Sequence, residues 1–335
     1  MAFLQSARLA LSTSTIALAL LAAASGCDGG GDGSGGSGGS GGGTPEPEYE
    51  PFPLPAQAWS HGDPSPLEQH LLEEIQRARL NPNAEIDIIL AVPGVKGAMQ
   101  QFGTDEAQVR ADFMTYSPVP PLSFDAQLMA SSRAHSEDMS QNGFQDHDSS
   151  NGQSFDQRID AAGYDWSFVS ENIFAYAESI PYCHAAFMVD WGNPQPGHRE
   201  AILDVDGQKR DIGISVIESP QSPEVGPLVI TQDFGMPLNP PPDRSRYIVG
   251  VAYRDLDASG SYTPGEEIEG MKIVPERGDF HAVTSRSGGF SVPIGKATGP
   301  LLVQIQDSTN LVLDQREIEL TGENVKLDFV LPAED

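Results

Sequence analysis

P-P-L-S-F-D-A-Q-L-M-A-S-S-R-A-H-S-E-D-M, residues Pro120–Met139, sets the frame for everything around it. Ser123 or Asp125 can cap a helix, and no breaker follows before Gln141, so Phe124–Gln141 is predicted as a helix. Leu128, Ser132, His135 and Met139 fall at helical spacing on one face, flanked by Ala130 and Ala134. That face is only partly apolar, so composition argues for the helix as much as period does. His135 on it is expected to be a hydrogen-bonded structural histidine. Ser136 is its neighbour, but adjacent helical residues point different ways and do not make a nucleophile–base pair.

Downstream come N-G-F-Q-D-H (Asn142–His147), S-F-D-Q-R-I-D-A-A-G-Y (Ser154–Tyr164), S-E-N-I (Ser170–Ile173), M-V-D-W (Met188–Trp191), G-H-R-E-A-I-L (Gly197–Leu203), D-I-G-I-S-V (Asp211–Val216) and T-Q-D-F-G (Thr231–Gly235). Three of these segments carry one side chain each that could do chemistry in a cleft: His147, Glu171 and His198. Two imidazoles and a carboxylate can converge on a metal ion or a polar substrate group. The gaps between them are too long for one helix or turn, so only a fold can bring them together. Ser154–Gly163 has a good N-cap and a glycine stop and reads as a short helix. Pro181 can open another, running to Trp191, on which Cys183, Phe187 and Trp191 recur every four residues and face the core. His184 then points elsewhere. Asp211–Val216 and Leu228–Phe234 read as strands.

The whole series, in this order, resembles the bacterial branch of the CAP superfamily, the cysteine-rich secretory, antigen 5 and pathogenesis-related group, over about Leu67 to Gly235. The resemblance implies an α/β fold, an α-β-α sandwich with a central cleft lined by two His and two acidic residues. It assigns three of those positions to His147, Glu171 and His198. Eukaryotic members carry the fourth, a Glu, shortly after the tryptophan. Here Trp191 is followed by Gly192, Asn193, Pro194, Gln195 and Pro196. Asp190 precedes the tryptophan and on a regular helix lies about 100° away. Ala201 also stands where the motif often has Asn. Some family members bind sterols or fatty acids, without a residue pattern that carries over here.

Neutral imidazoles bind zinc, and a neighbouring carboxylate orients an imidazole or acts as a base. His147, His198 and Glu171 are therefore the candidate ligands of a cleft ion. Two or three protein ligands hold zinc weakly, and the affinity is expected to fall as the imidazoles protonate below about pH 6.5. A competing reading is a metal-assisted hydrolase with Glu171 as base and His147 and His198 holding the ion. No G-x-S-x-G elbow and no H-E-x-x-H motif occurs, which counts against a standard serine or zinc hydrolase. A third reading is surface adhesion.

The N-terminus sets the compartment. Leu9–Gly26 is mostly apolar but too short and too rich in Ala and Ser for a membrane span, and reads as a secretory signal. A-S-G-C at Ala24–Cys27 resembles a bacterial lipobox, with Cys27 as the lipidated residue. The bland alternative is cleavage near Ala24 and release as a soluble protein. Residues 28–55 form a tether, first Gly, Ser and Asp, then Pro and Glu. The expectation is an exported protein anchored in the bacterial cell envelope through Cys27, its ligand a lipid or a cell-surface component. With Cys27 modified, Cys183 has no internal partner. The net charge of -29 is spread along the chain, and no basic stripe exists to neutralise phosphates, which excludes nucleic acid.

Residues 60–237 form the expected first domain, which includes an amphipathic helix at Pro66–Leu80, ended by N-P-N, and a less regular insertion at Ala84–Tyr116. After the stiff Asn239–Asp243 linker, residues 245–333 change character. Tyr247–Tyr253, Gly289–Ile294, Leu301–Ile305, Leu311–Leu313 and Val325–Leu331 read as strands of a small all-β sandwich. G-V-A-Y-R-D-L-D-A-S-G-S-Y-T-P-G-E-E (Gly250–Glu267) resembles the start of B-type repeats of bacterial surface proteins. R-S-G-G-F-S-V-P (Arg286–Pro293) is similar to carboxypeptidase regulatory-like sandwiches. Asp255, Asp257, Ser259, Gly260, Ser261 and Glu266 occupy positions 1, 3, 5, 6, 7 and 12 of an EF-hand-type loop, so calcium is the expected ion there. Pro264 disfavours a following helix, so the loop is expected between strands.

Overall fold

The computed structural model describes residues 49–193, 195–219 and 224–332. The expected signal segment, Cys27 and the tether up to residue 48 lie outside the described residues.

The first layer begins with β1 (Gln57–Trp59) and helix α1 (Pro66–Leu80). Ser65 starts α1 with a reciprocal cap: its hydroxyl accepts from the Glu68 amide, and the Glu68 carboxylate accepts from the Ser65 amide. Leu71, Leu72 and Ile75 are buried on one face, each contributing roughly 1.5–3 kcal/mol of transfer free energy. Asn81 ends the helix as expected, but Pro82 at once opens another. The stretch Ala84–Tyr116 is three helices rather than an irregular insertion: α2 (Pro82–Ala91), α3 (Val95–Gln101) and α4 (Glu106–Phe113). They are short. α3 buries only Val95 and Met99, and α4 only Val109 and Phe113, so no helical period has room to repeat in the sequence.

Strand β2 (Ser123–Phe124) leads into α5 (Ala126–Asn142), capped by Asp125, whose Oδ1 accepts from the Gln127 and Leu128 amides. Gly143, in the left-handed region at φ 67°, stops it. Then follow α6 (Phe155–Ala162), β3 (Trp166–Ala177), α7 (Ile180–Val189), α8 (Gly197–Ile202), β4 (Asp211–Glu218) and β5 (Leu228–Pro237). The sheet has the order β2-β4-β5-β3, with β2 and β4 parallel and the other pairs antiparallel. Helices α5 and α6 cover one face; α1, α7 and α8 cover the other. This is the α-β-α sandwich expected. The fit of α5 onto β4 needs Gly213, where a Cβ would lie 2.1 Å from the Leu128 carbonyl carbon.

The rest of the chain is strand-rich: β6 (Tyr247–Tyr253), β7 (Lys272–Pro275), β8 (Phe280–Val283), β9 (Gly289–Pro293), β10 (Thr298–Gln306), β11 (Val312–Thr321), β12 (Val325–Lys326) and β13 (Phe329–Val330). One sheet runs β1-β8-β7-β10-β11; in the other, β6 pairs with β9 on one side and with β12 and β13 on the other. Ile248, Phe290 and Phe329 of one sheet meet Ile273, Val303 and Ile305 of the other in one core. The sandwich is not contiguous in sequence, because β1 adds to its edge from ahead of α1. The end of the expected tether is docked here too: Gln304 Nε2 donates to the Glu50 carbonyl and His281 Nδ1 contacts the Pro55 carbonyl at 2.8 Å.

The two regions share a seam. Asn324 Nδ2 donates to the Pro121 carbonyl and Lys326 pairs with Glu73 at 2.8 Å; within the first region the His61 ring stacks on Phe124 at 5.9 Å. His61 is buried with no partner for Nε2, and burial lowers its pKa from 6.5 to about 4.

Candidate functional site

His147 lies in the loop that Gly143 turns away from α5. Its Nδ1 is 2.8 Å from Glu171 Oε1, and its side chain keeps 49% of its surface in solvent. Glu171 is buried at the middle of β3, ahead of α7, on a strand the sequence reading missed. Its second oxygen is paired with Arg158 Nη2 from α6. Arg158 Nη1 donates to the His147 carbonyl, the Ser149 hydroxyl and the Gln153 carbonyl, so one guanidinium fixes both the acid and the loop that carries the imidazole.

His198 opens α8. Its Nδ1 is 2.8 Å from Asp190 Oδ1, and its backbone amide donates to Asp190 Oδ2 at 3.0 Å. Asp190 is thus the second acid of the cleft, the residue that helical spacing had set aside. It is the C-cap of α7, at φ 57° and ψ 46°, and the left-handed turn takes its side chain off the helical track. The ring of Phe187 backs His198 at 5.2 Å, and Asn172 Nδ2 donates to the His198 carbonyl.

Successive residues of a strand face opposite ways, so Glu171 and Asn172 serve the two faces of β3. Since β3 is an edge strand, the two imidazole–carboxylate pairs flank that edge. The three expected ligands do not gather as one. Among the described residues, the two acid or His/acid groups with ligand atoms within 4.8 Å of one another are Glu74, Glu85 and His184, and Asp255, Asp257 and Glu266. Glu171 is not a free ligand, because Arg158 and His147 engage both its oxygens. Each imidazole, by contrast, donates its Nδ1 proton to a carboxylate, which leaves Nε2 as a lone-pair donor in the tautomer that binds transition metals.

Two further buried groups escaped the sequence reading. Asp233 lies opposite Glu171 across the β3–β5 pair, fully buried, with no donor to either oxygen. Burial, then the Glu171 charge, push its carboxyl well above the usual range. The alternation of T-Q-D-F-G along β5, with Phe234 in the core, was the available signal that Asp233 faces α5. His184 sits 3.0 Å from Glu85, and Arg77 bridges Glu85 and Glu74, with Nη2 at 2.7 Å from Glu85 and Nη1 at 2.9 Å from Glu74. A guanidinium already fills the place a cation would take. Cys183 and His135 are buried, His135 with Nε2 2.9 Å from the Asp146 carbonyl.

In the 255–266 loop, Glu266 is 5% exposed and accepts from the Leu256, Asp257 and Thr263 amides. The Gly260 amide donates to Asp255 Oδ2, and the Ser259 hydroxyl donates to the Ser261 carbonyl. Asp255 Oδ1 is buried without a donor. No helix follows; the loop joins β6 to β7.

Residues 103–234 match the family model described as CAP, the cysteine-rich secretory protein family, and the matched span contains His147, Glu171, Asp190, His198 and Asp233. No curated protein matches the chain. Among solved structures, an extracellular protein containing an SCP domain from Bacillus anthracis str. Ames is 22% identical, over 42% of this chain and 41% of that one, with a TM-score of 0.29. An outer surface protein from Borrelia burgdorferi is 17% identical, over 44% of this chain and 97% of that one, with a TM-score of 0.30.

Proposed function

We propose that this is an exported cell-envelope protein whose CAP-type domain binds a small ligand or a divalent ion through the Nε2 edges of His147 and His198. The carrying observation is the pair of imidazole–carboxylate contacts, His147–Glu171 and His198–Asp190, both at 2.8 Å. Each carboxylate fixes its ring's tautomer and orientation, which is the arrangement that supports a metal-bound or hydrogen-bonded Nε2. Zinc suits these donors; bound, it would be held by the two imidazoles and kept partly hydrated, with Glu171 and Asp190 as orienting partners. Glu171, buried and paired with Arg158, is poorly placed to serve as a base, which favours binding over hydrolysis. Calorimetric titration of zinc into the chain from Asp28 onward, alone and as His147→Ala with His198→Ala, is the test. Binding that vanishes in the double variant is expected; unchanged binding rejects the reading.

The anchor belongs to the same proposal: Cys27 carries lipid and holds the domain at a membrane. Among the described residues no helix is long and apolar enough to cross a bilayer. Fatty-acid labelling that persists in Cys27→Ser would reject the anchor. A calcium ion in the 255–266 loop is a second reading, favoured by the Asp255, Asp257 and Glu266 cluster and the donorless Asp255 Oδ1. In that reading the β-sandwich is a calcium-stiffened spacer or adhesion module.

A further inference from the structure

A cavity of about 240 Å³ opens where the start of α5, the residues after α6, the 237–241 linker and the start of β6 meet. None of His147, Glu171, Asp190 and His198 lines it. Three polar groups set in its wall have open hydrogen-bonding atoms. Asp125 gives Oδ1 to the Gln127 and Leu128 amides, and its Oδ2 accepts from no described residue. Burial, then the Asp211 charge, push that carboxyl up to about 6, which fits a carboxylate short of donors. Tyr247 is only 7% exposed, and its hydroxyl makes no hydrogen bond among the described residues. The Arg244 guanidinium rests over the Trp59 ring, 5.7 Å from its centre, and Asp243 stops 3.8 Å from Nε, beyond hydrogen-bonding reach. Its Nη donors go unused among the described residues. Solvent reaches all of these open atoms: Asp125 Oδ2, the Tyr247 hydroxyl and the Arg244 Nη pair.

The mixture of groups narrows the choice of ligand. Exposed Asp165 and Asn239 border the same space, with side chains that no hydrogen bond among the described residues uses. The carboxylates, in a chain of net charge -29, repel an anion, and the Arg210 and Arg244 guanidiniums repel a cation. A hydroxyl both donates and accepts, so a neutral molecule carrying several can answer acids and donors together. Trp59, Pro240 and Pro241 add an apolar wall against which the C–H face of a ring can lie. We propose that this cavity is a binding site for a neutral saccharide, its hydroxyls donating to Asp125 Oδ2 and Asp165 and accepting from Tyr247, Arg244 and Asn239. The volume, just below the roughly 300–1,000 Å³ of drug-sized sites, suits a single sugar ring.

The experiment is ligand-observed NMR titration of the chain from Asp28 onward with glucose, galactose, mannose and N-acetylglucosamine. Cyclohexanol, a ring with one hydroxyl, and cyclohexylammonium, a ring with a positive charge, are the comparison probes. At least one sugar is expected to bind with a Kd on the order of 1 mM, at least about tenfold more tightly than cyclohexanol. Tyr247→Phe removes only a hydroxyl that the fold does not use, and is expected to weaken that sugar about tenfold. Asp165→Ala with Asn239→Ala, both at exposed side chains, is expected to weaken it by a similar factor. Circular dichroism checks that each variant is folded; if Tyr247→Phe is not, the Asp165 and Asn239 variant stands by itself. No sugar binding at about ten times that concentration, cyclohexylammonium binding more tightly than every sugar, or sugar binding unaltered in the folded variants each overturns the proposal.

Discussion

The cleft and the α1–α2–α7 interior use the same residue types and arrive at opposite chemistries. In the interior, His184, Glu85 and Glu74 close around Arg77, and both the His184 and Glu85 side chains are fully buried. Burial pushes the Glu85 carboxyl up, but hydrogen bonds from His184 and Arg77 take it below its ordinary value. In the cleft, Arg158 neutralises Glu171, and Asp190 is given to a backbone amide as well as a ring. The Arg158 guanidinium does not close over the imidazoles, which stay 49% and 32% exposed. Residue type alone does not make a site; what matters is whether the protein's own charges complete the set and whether solvent still reaches the remaining donor.

The largest expected effect breaks the interior. Arg77→Ala would strand Glu74 and Glu85 without their guanidinium and cost about 3–5 kcal/mol in denaturant unfolding. A milder loss would mean that water enters the network. A histidine with no acid sharpens the contrast. His61 has a folded pKa near 4, below its unfolded 6.5, so the native state binds fewer protons between those values. Its stabilisation is present above pH 6.5 and is lost as the pH falls toward 4. The lost stability amounts to at most about 3.5 kcal/mol, from about 1.4 kcal/mol per pKa unit. His61→Phe should flatten that part of the stability–pH curve; an unaltered curve refutes the assignment.

The 255–266 loop is a third arrangement, acids without an imidazole. Calcium at about 100 times its Kd should stabilise the fold by about 2.7 kcal/mol, read as a Tm that drops on adding chelator. A chelator-insensitive melt removes calcium from the account. In the cleft, Asp190→Asn leaves the ring in place but withdraws its charged partner, and zinc affinity should fall about 10–100-fold by calorimetry. The smallest effect is on stability: His147→Ala, at a half-exposed side chain, should change unfolding by less than about 1 kcal/mol, which separates its binding role from any role in folding.

Much of the layered domain was readable because its long elements repeat. Pro66–Leu80 and Asp125 onward carry caps and periodic apolar residues, and both helices stand close to where those signals place them. β3 was not readable: in Trp166–Ala177 the buried Glu171 and Asn172 interrupt the pattern, and Ile173–Ala177 is an unbroken apolar run whose alternate burial the sequence does not mark. β1 was hidden for a different reason. Gln57–Trp59 is only three residues, and it is a strand because β8 offers an edge some 220 residues later in the chain. The candidate site divides in the same way. His147, Glu171 and His198 were found from motif order, while Asp190 was passed over because a regular helix was assumed where the chain turns left-handed.

By itself the sequence determined the long capped helices and the more apolar strands, that the chain changes character near Asn239, and which imidazoles stand in the cleft motifs. These are local matters of capping, period and composition, carried by residues near one another in the chain. Only the tertiary structure decided the partners: Arg158 for Glu171, Asp190 for His198, a buried Asp233 behind Glu171, and a buried Arg199 packed on Phe113 and Tyr116. Charge state, burial and hydrogen-bond satisfaction are properties of contacts between distant segments, and no local pattern encodes them.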